Sequence, residues 1–332
     1  MELGVFEAPG QEWDEFVSQY SDLIFYQSFW SEVLKRGLGG HPLYFYLREG
    51  GRIVAGLPAV LFNFKIFRIL YASIPYGGLI GDRSAFPPFS SLLDTEFRKR
   101  RFDQVRVADS PFSDPYSPVG FSSVSAKCSL LDLRGFDKEN ILENYRSEVR
   151  RAIRKAQKSG LSVTRAVSRE EARIFNELYA SSMERNRAGA KYPGQWFYTL
   201  FDMMVEQGRA DIFFARKDDH YAAGVVVIHS SSTDHYLHNG SENAFLEYRP
   251  NDLIVDHIIQ DGLGKGKIFL DFMGSDPKDV SLLRFKEKWG SRSLDIRTHI
   301  KNVHPLKAKL WEWGKKVMSS EWGSKWVRVI RG

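Results

Sequence analysis

Two stretches of the chain carry the same alternation of apolar and polar residues. The segment 44–60 (YFYLREGGRIVAGLPAV) aligns without a gap on 212–228 (IFFARKDDHYAAGVVVI), at an offset of 168 residues. The same offset places 67–73 on 235–241. Such alternation is typical of strands, and a repeat that keeps its register through several strand-like runs indicates that one folded unit occurs twice.

The two copies predict a common order of elements. Two helices come first, followed by three strands linked as hairpins, and then helices and strands in alternation. The predicted strands are 44–48, 53–62, 67–71, 104–108 and 125–132 in the first copy, and 210–216, 221–229, 233–239, 267–272 and 293–300 in the second. The predicted helices are 13–19, 29–36, 88–100, 168–186, 195–207, 253–263 and 281–288. This order predicts an α/β fold, α+β in its antiparallel half, with tandem domains at 1–137 and 138–303.

A basic helix is predicted at 138–159, where the two copies join. Its apolar positions keep helical spacing, and Lys and Arg fill the other face. Such a face is either solvated or in contact with phosphate. The candidate phosphate contacts are Arg150, Arg151 and Arg154.

The segment 304–332 is basic and rich in tryptophan. A helix is predicted at 305–318, packed on the first domain through Leu306, Leu310, Trp313 and Val317, which keep helical spacing. Trp322 and Trp326 lie beyond that helix among cations, a composition that suits either a membrane interface or contact with tRNA.

Composition indicates a soluble protein of the cytoplasm. Of the 332 residues, 43% are hydrophobic and 27% charged, as in globular proteins of two domains. The acidic N-terminus has no secretory signal, and no apolar run is long enough for a membrane span. Cys128 is the only cysteine, which excludes an internal disulfide.

The positive charge is concentrated at one end of the chain. The formal net charge is +6, and residues 301–332 hold eight Lys or Arg against Glu312 and Glu321. The first 300 residues are therefore formally neutral. Such a distribution favours anionic partners near the C-terminus.

Four segments of the sequence, together with the order of elements, carry a family resemblance. The segments 269–275 (FLDFMGS) and 282–290 (LLRFKEKWG) resemble the C-terminal motifs of the FemABX aminoacyltransferases, which have the GNAT fold. The glycine-rich run 76–82 (YGGLIGD) is similar to a loop of that family's first domain. The segment 145–163 looks like the family's basic entry to its second domain. The resemblance implies two tandem GNAT-like domains, the first a degenerate acceptor-binding domain and the second catalytic, with the helix in 304–332 packed on the first.

The resemblance also implies a catalytic lysine. In FemABX enzymes a lysine at the place of Lys286, after Phe285, faces the cleft and stabilises charge as an amine attacks an activated acyl group. A fixed cation in a dry cleft suits the oxyanion of that step. Asp271 is the candidate that orients Lys286 or accepts a proton from the amine. The offset of 168 places Pro118 where a first-copy lysine would stand, so the two copies are expected to divide the labour.

Other candidates concern substrate binding. Tyr76, Gly77 and Gly78 are expected to hold the acceptor. Arg185, Arg187 and Tyr192 lie where family members face the acceptor and its phosphates, although a solvated turn fits them equally well.

The donor is expected to be aminoacyl-tRNA rather than acyl-CoA. GNAT enzymes that use acyl-CoA cradle its pyrophosphate on a glycine-rich loop at a helix N-terminus. Here that place reads 247–253 (EYRPNDL), with Arg249 and a proline in place of glycines, and with Asp252 as a candidate N-cap. No resident cofactor is therefore predicted.

No metal site and no covalent acyl-enzyme are predicted. His235 and His238 should point to opposite faces of one strand, so they cannot share a metal. The chain has neither a G-x-S-x-G motif nor a Cys–His nucleophile pattern.

The sequence thus predicts an acyltransferase that passes an aminoacyl or acyl group to an amine of a peptidoglycan-type cell-envelope precursor, nucleotide- or lipid-linked. It would act in the cytoplasm, peripheral to the inner face of the membrane. One alternative is an acyl-CoA-dependent N-acyltransferase acting on an exopolysaccharide sugar amine. The other is a non-catalytic RNA-binding protein, which an intact Lys286 disfavours.

Overall fold

The computed structural model describes residues 1–64, 66–186 and 192–318 and confirms the mixed α/β class. The strands up to residue 132 are β1 (Glu2–Phe6), β2 (His41–Glu49), β3 (Arg52–Phe64), β4 (Phe67–Gly77), β5 (Ile80–Gly81), β6 (Gln104–Asp109) and β7 (Ser122–Asp132). The strands after it are β8 (Leu161–Arg165), β9 (Ala210–Lys217), β10 (His220–His229), β11 (Thr233–Ser241), β12 (Phe269–Ser275) and β13 (Arg292–Asn302). The helices are α1 (Gln11–Ser18), α2 (Ser28–Leu38), α3 (Phe86–Lys99), α4 (Ser147–Lys158), α5 (Arg169–Arg185), α6 (Gly194–Leu200), α7 (Pro250–Gly264), α8 (Val280–Glu287) and α9 (Pro305–Met318).

The chain folds into two compact units, and the first unit includes a segment that follows the second in sequence. The first unit is Met1–Ala126 with Asp295–Val317, and the second includes Lys127–Leu294. Most of β13 therefore lies in the first unit, where it pairs antiparallel with β6. Residues 127–132 of β7 pair with β12 in the second unit. The predicted domains, by contrast, divided the chain after residues 137 and 303.

The duplicated pattern gives the two units equivalent strand orders. The strand order is β1-β2-β3-β4-β6-β13 in the first unit, with β5 beside β3, and β7-β12-β11-β10-β9-β8 in the second. In both units an antiparallel meander is followed by a helix and then by a strand that pairs in parallel, β4 with β6 and β11 with β12. The parallel pairs bring the carboxyl ends of their strands to one edge of each sheet.

Local sequence explains the hairpins and the cores. Gly50 and Gly51 join β2 to β3 with φ values of +57° and +81°, as a two-residue hairpin turn requires. The first core packs one face of the sheet against α3, through residues such as Phe45 and Phe97. The second core packs β9, β10 and β12 against α4 and α7. Helices also pack on the other face of each sheet: Trp13 of α1 lies against Gly56 of β3, and Phe175 of α5 lies against Gly224 of β10.

Several predicted boundaries differ from the structure. The basic helix begins at Ser147 rather than 138, because Asn144 bonds the carbonyls of Asp137 and Ile141 in a separate turn. Helix α6 ends at Leu200 and continues as a π turn through Val205. The edge strands β1 and β8 were not predicted.

The last helix packs on the first unit as predicted, but on the opposite face. Trp311 and Ala308 are buried, and the Trp311 ring lies 4.7 Å from the ring of Phe64. The predicted contact residues Leu306, Leu310 and Trp313 are instead exposed. Spacing alone could not decide between two apolar stripes, and the small Ala308 lets the helix lie closer to the sheet. The side chain of Val317 and the predicted interface tryptophans Trp322 and Trp326 lie outside the described residues.

Candidate functional site

Lys286 is buried at the carboxyl edge of the second sheet. Its side chain comes from α8, which is capped at its start by the Asp279 carboxylate accepting from the backbone N–H of Leu282. The ammonium group donates to the Met273 carbonyl at 2.9 Å and to Ser275 Oγ at 2.7 Å. Burial lowers the pKa of Lys286 to about 8, although Asp271 and Asp279 oppose the shift. A lysine with this pKa is mostly protonated at neutral pH and can stabilise an oxyanion.

A backbone irregularity in β12 brings those acceptors to the lysine. The register of β12 against β7 shifts between Asp271 and Gly274, and Met273 has a φ of +63°. The Asp271 carboxylate accepts from the Met273 backbone N–H at 2.8 Å, which favours this left-handed conformation. The bulge therefore orients the Met273 carbonyl that accepts from Lys286.

Asp271 acts within the protein interior. It is fully buried and accepts from Cys128 Sγ at 3.2 Å and from His235 Nδ1 at 3.1 Å. His235 Nε2 lies 2.8 Å from Ser230 Oγ. Asp271 thus contacts the bulge residue Met273, whose carbonyl accepts from Lys286, and both predicted roles of Asp271 stay predictions.

Cys128 is a buried thiol in this network. Its pKa is raised well above the usual value by burial and by Asp271. A thiol held in its protonated form is a poor nucleophile. Phe285 is half-buried against the second core, and its ring lies 4.4 Å from Lys288 Nζ. It contributes packing beside the lysine rather than a polar contact.

A basic cavity lies at the N-terminus of α7. Its volume is about 280 Å³, and it is lined by Glu148, Arg151, Ala152, Lys155, Arg249 and Lys288. Arg249 precedes Pro250 with a φ of +63° and is the N-cap of α7. Lys288 Nζ pairs with the Asp252 carboxylate in the first turn of α7. The prediction that Asp252 is the N-cap was therefore wrong, because the helix begins two residues earlier at a proline that needs no partner for its nitrogen.

The structure separates the other predicted basic residues from this cavity. Arg150 donates to the Tyr145 carbonyl at 2.7 Å, and Arg154 is exposed on another face of α4. Arg185 donates to the Ser241 carbonyl at 2.9 Å and to Ser241 Oγ at 3.0 Å, and so ties α5 to the end of β11. Of these three, only Arg154 is left fully exposed to solvent.

An aromatic cluster surrounds His238 in the second unit. Trp196 Nε1 donates to His238 Nε2 at 2.9 Å, and the Tyr192 ring lies 4.5 Å from the imidazole. Burial lowers the pKa of His238 to about 3, so the ring is neutral. Tyr192 therefore has a packing role in the structure. Arg187, its predicted neighbour in the site, lies outside the described residues.

The first unit has a cavity of about 250 Å³ at the carboxyl edge of its own sheet. Gly77 and Gly78 line it at the end of β4, as predicted, and Gly78 has a φ of +82°. Its other walls include Tyr26, Arg83, Phe112 and Tyr116. Tyr76 is buried beside this cavity, with its ring 5.3 Å from that of Phe25. It supports the loop instead of lining the cavity.

Asp109 is an acidic group of this cavity that the sequence did not reveal. It ends β6 and lines the cavity, and His299 Nε2 donates to its carboxylate at 3.1 Å. His299 comes from β13, is buried, and lies 2.8 Å from Ser123 Oγ through Nδ1. The imidazole is thus held between a hydroxyl and a carboxylate, which fixes the carboxylate at the cavity. Asp109 and His299 are far apart in sequence, so only the strand pairing brings them together.

Three further observations concern metal clusters, the two histidines and membrane-spanning helices. Within residues 1–64, 66–186 and 192–318, no cluster of three or more His, Cys, Asp or Glu could hold a metal ion. His235 and His238 have separate partners, Asp271 and Trp196. Over the same part of the chain, no helix combines the length and apolarity needed to cross a bilayer.

Comparison with known proteins identifies the chemistry of the second unit. Residues 143–287 match the family model described as an acetyltransferase (GNAT) domain. The match identifies this segment as an acyltransferase domain of GNAT type. The segment contains the β12 bulge, Lys286 and the residues of the basic cavity other than Lys288. No curated protein matches the chain in sequence.

Solved structures show the same fold over almost the whole chain. FemX is 16% identical, with 89% of this chain and 96% of FemX covered and a TM-score of 0.68. A tandem GNAT protein from the clavulanic acid biosynthesis pathway is 12% identical, with 92% and 99% covered and a TM-score of 0.59. The C-terminal domain of a provisionally named lysylphosphatidylglycerol synthetase from Agrobacterium fabrum is 15% identical, with 93% and 98% covered and a TM-score of 0.57. The predicted tandem GNAT fold and FemABX-like resemblance are confirmed.

Proposed function

We propose that this GNAT-type acyltransferase transfers an activated aminoacyl group directly to an amine of a cell-envelope precursor. The observation that carries the proposal is the buried Lys286, which is held by the Met273 carbonyl and Ser275 with a pKa lowered to about 8. Burying an ammonium group costs folding free energy, so its retention needs a reason beyond packing. Stabilising charge in a transition state supplies one.

The proposed reaction is a direct aminolysis. The neutral acceptor amine attacks the carbonyl carbon of an aminoacyl ester, and the carbonyl oxygen becomes an oxyanion. Among the described residues, Lys286 donates two of its three protons to protein oxygens, and the third meets the oxyanion. The C–N bond forms as the ester C–O bond breaks, and the proton that the amine loses passes to the leaving alkoxide. The pKa of Cys128 disfavours an acyl-enzyme on that thiol.

The donor proposed is aminoacyl-tRNA. The cavity at the start of α7 offers Arg151, Lys155 and Arg249 as cationic side chains, rather than the backbone of a glycine-rich loop. Spread cationic side chains suit the phosphodiesters of a nucleic acid, whereas a pyrophosphate is bound best by converging backbone N–H groups. Lys288 also lines this cavity and is paired with Asp252.

The acceptor proposed is an amine that binds in the cavity of the first unit. Asp109 gives this cavity a fixed carboxylate that can accept a hydrogen bond from the acceptor amine, and Tyr26 and Phe112 give apolar walls. Arg83 lines the same cavity and can contact an anionic part of the precursor. One similar protein is named for lysylphosphatidylglycerol, which is a lipid that carries an amino acid. The enzyme would work in the cytoplasm, where both precursors are made.

A second candidate is an acyl-CoA-dependent N-acyltransferase that acts on a sugar amine of an exopolysaccharide. It is favoured by the match of residues 143–287 to an acetyltransferase domain. In this case the same basic cavity would hold the phosphates of CoA. The two candidates share Lys286 and attack by an amine, and they differ in the donor and in the molecule that carries the amine.

A ligand screen followed by a transfer assay tests the proposal. Melting temperature is measured with acetyl-CoA, mixed aminoacyl-tRNAs and amine-bearing nucleotide-linked precursors, because a ligand at a hundred times its Kd stabilises by about 2.7 kcal/mol. Stabilised pairs are then mixed, and amide formation is followed with labelled donor. We expect transfer from aminoacyl-tRNA by the wild type and transfer slower by about 10² to 10³ by Lys286→Met. Transfer from acetyl-CoA alone would favour the second candidate, and tRNA binding without any transfer would favour an RNA-binding protein.

A further inference from the structure

Helix α9 turns its larger apolar side chains away from the protein. Leu306, Leu310 and Trp313 are spaced by four and three residues, so they share one face of the helix. Leu306 is 71% exposed and Trp313 is 67% exposed. A solvated helix face is ordinarily polar, so a stripe of large apolar side chains marks a surface that is covered by something else.

The contacts of the opposite face prevent the helix from rolling to bury this stripe. Trp311 is buried, with its ring 4.7 Å from that of Phe64 and 5.5 Å from that of Phe67. Lys307 Nζ donates to the Ile66 carbonyl at 3.2 Å and pairs with Asp103 at 3.3 Å. Inverting the helix would break both the ring stacking and these polar contacts.

The tip of the hairpin between β3 and β4 lies beside the packed side of α9. Its residues Phe64 and Ile66 are exposed. Phe64 stacks on Trp311, and the Ile66 carbonyl accepts from Lys307. We call the exposed stripe of three large apolar side chains the α9 face: Leu306, Leu310 and Trp313.

The charges around the α9 face are positive. Lys309 is exposed and lies one turn before Trp313, on the same side of the helix. Glu312 is on the other side and pairs with Arg106 at 3.0 Å. The β3–β4 hairpin also lines a cavity of about 400 Å³ whose charged and titratable side chains are Lys35, His41, Arg68 and Arg100 with one acid, Glu7.

We propose that the α9 face binds the surface of an anionic lipid bilayer. Tryptophan and leucine on one side of a helix, flanked by lysine, is the composition of helices that lie in the membrane interface. The tryptophan ring suits the headgroup region, and each basic residue near an anionic surface adds about 1 kcal/mol of attraction. A protein partner or a second copy would not need this excess of cations. The inference does not depend on the proposed reaction.

Vesicle sedimentation of the full chain tests the inference. The wild type should sediment with phosphatidylcholine vesicles that contain phosphatidylglycerol and much less with phosphatidylcholine alone. Leu310→Glu combined with Trp313→Glu should weaken binding at least about tenfold, since each removes apolar insertion and adds repulsion. Val167→Glu is the matched control, because Val167 is 85% exposed in the second unit and should leave binding unchanged. Unchanged melting temperatures would show that the variants are folded.

One further variant tests the role of charge, and three other results would overturn the inference. Lys309→Gln alone should reduce binding about fivefold and should not affect binding to neutral vesicles. If a chain ending at residue 318 loses all binding while the double variant keeps it, the C-terminal tail and not the α9 face contacts lipid. If the wild type is a dimer by light scattering and the double variant a monomer, the face is covered by a second copy. Equal sedimentation of wild type and double variant would also exclude it.

Discussion

The two units have the same strand order and different chemistry at the same edge of the sheet. In the second unit, β12 ends in a bulge and is followed by α8, which places Lys286 on the carbonyl of Met273. In the first unit, β6 ends at Asp109 and is followed by an irregular segment at 110–121. The edge that a helix closes in one unit is an open cavity in the other.

Proline explains this difference. Pro111, Pro115 and Pro118 fall within eight consecutive residues after β6, and this spacing excludes a helix interior. The segment instead contributes Phe112, Tyr116 and Pro118 to the wall of the cavity. After duplication, the same edge of the sheet has therefore become a cationic buried site in one copy and an anionic open site in the other. The few residues that follow β12 in one unit and β6 in the other thus decide whether this edge carries a buried lysine or an open cavity.

The largest expected effect is on the turnover number, when the buried Lys286 at the edge of the second unit is replaced. Lys286→Met should lower the turnover number by about 10² to 10³, the range for removal of one group that stabilises an oxyanion. Lys278→Met is the control, because Lys278 is exposed just before α8. The measurement is amide formation at saturating donor and acceptor. A turnover number within about threefold of wild type would mean that Lys286 is structural.

The next effect should appear only in the acceptor. Asp109→Asn removes the charge that His299 orients at the cavity of the first unit. We expect the KM for the acceptor to rise about 10- to 100-fold, as for the loss of a hydrogen bond to a charged group, with the KM for the donor unchanged. Asp114→Asn, at an exposed position that also lines the cavity, should have little effect. A rise in the donor KM instead would assign this cavity to the donor.

The pH dependence should report the lysine of the second unit. The pKa of Lys286 is lowered to about 8, and only the protonated form donates to an oxyanion. Turnover should therefore fall about twofold between pH 7 and pH 8 and approach a fall of about tenfold for each further pH unit. Rates that keep rising up to pH 10 would show that Lys286 acts in its neutral form.

The same shift has the opposite sign in stability. The unfolded chain keeps the lysine proton up to pH 10.5, whereas the folded protein loses it near pH 8. Below about pH 8 the buried ammonium therefore destabilises the protein, and this cost is relieved as the pH rises towards 10.5. The difference in melting temperature between Lys286→Met and wild type should shift in favour of wild type over that interval.

The smallest expected effect concerns the basic cavity. Arg249→Ala should raise the KM for a nucleic-acid donor about fivefold and reduce the slope of log affinity against log salt by about one. Arg151→Ala should do the same. Arg154→Ala is the matched control on the same helix, because its side chain is outside the cavity. Equal effects at Arg151 and Arg154 would mean that α4 offers only a diffuse positive charge.

The sequence predicts the fold better than it predicts the contacts of the site. The repeated alternation of 44–60 and 212–228 identifies the tandem units, because burial on a sheet imposes its period on the residues. Lys286 is found by its motif. The pair of Asp109 and His299 is not predicted. Alternation assigns each residue to a strand, but it does not show which two strands pair. Arg185 is a basic residue that the sequence gives as a candidate for substrate binding, yet its guanidinium donates to the Ser241 carbonyl. A charged residue alone does not say whether its partner is protein or substrate.

The exchanged strand β13 has a consequence for the order of folding during synthesis. Residues 295–302 emerge from the ribosome after the whole of 127–294, yet they pair with β6 in the first unit. Until then β6 has an unpaired edge, and such edges are sites of aggregation. The N-terminal half of the chain therefore cannot complete its fold first, and a fragment that ends before residue 295 should be poorly soluble. The edge of β6 therefore stays open to aggregation until residues 295–302 have been synthesised.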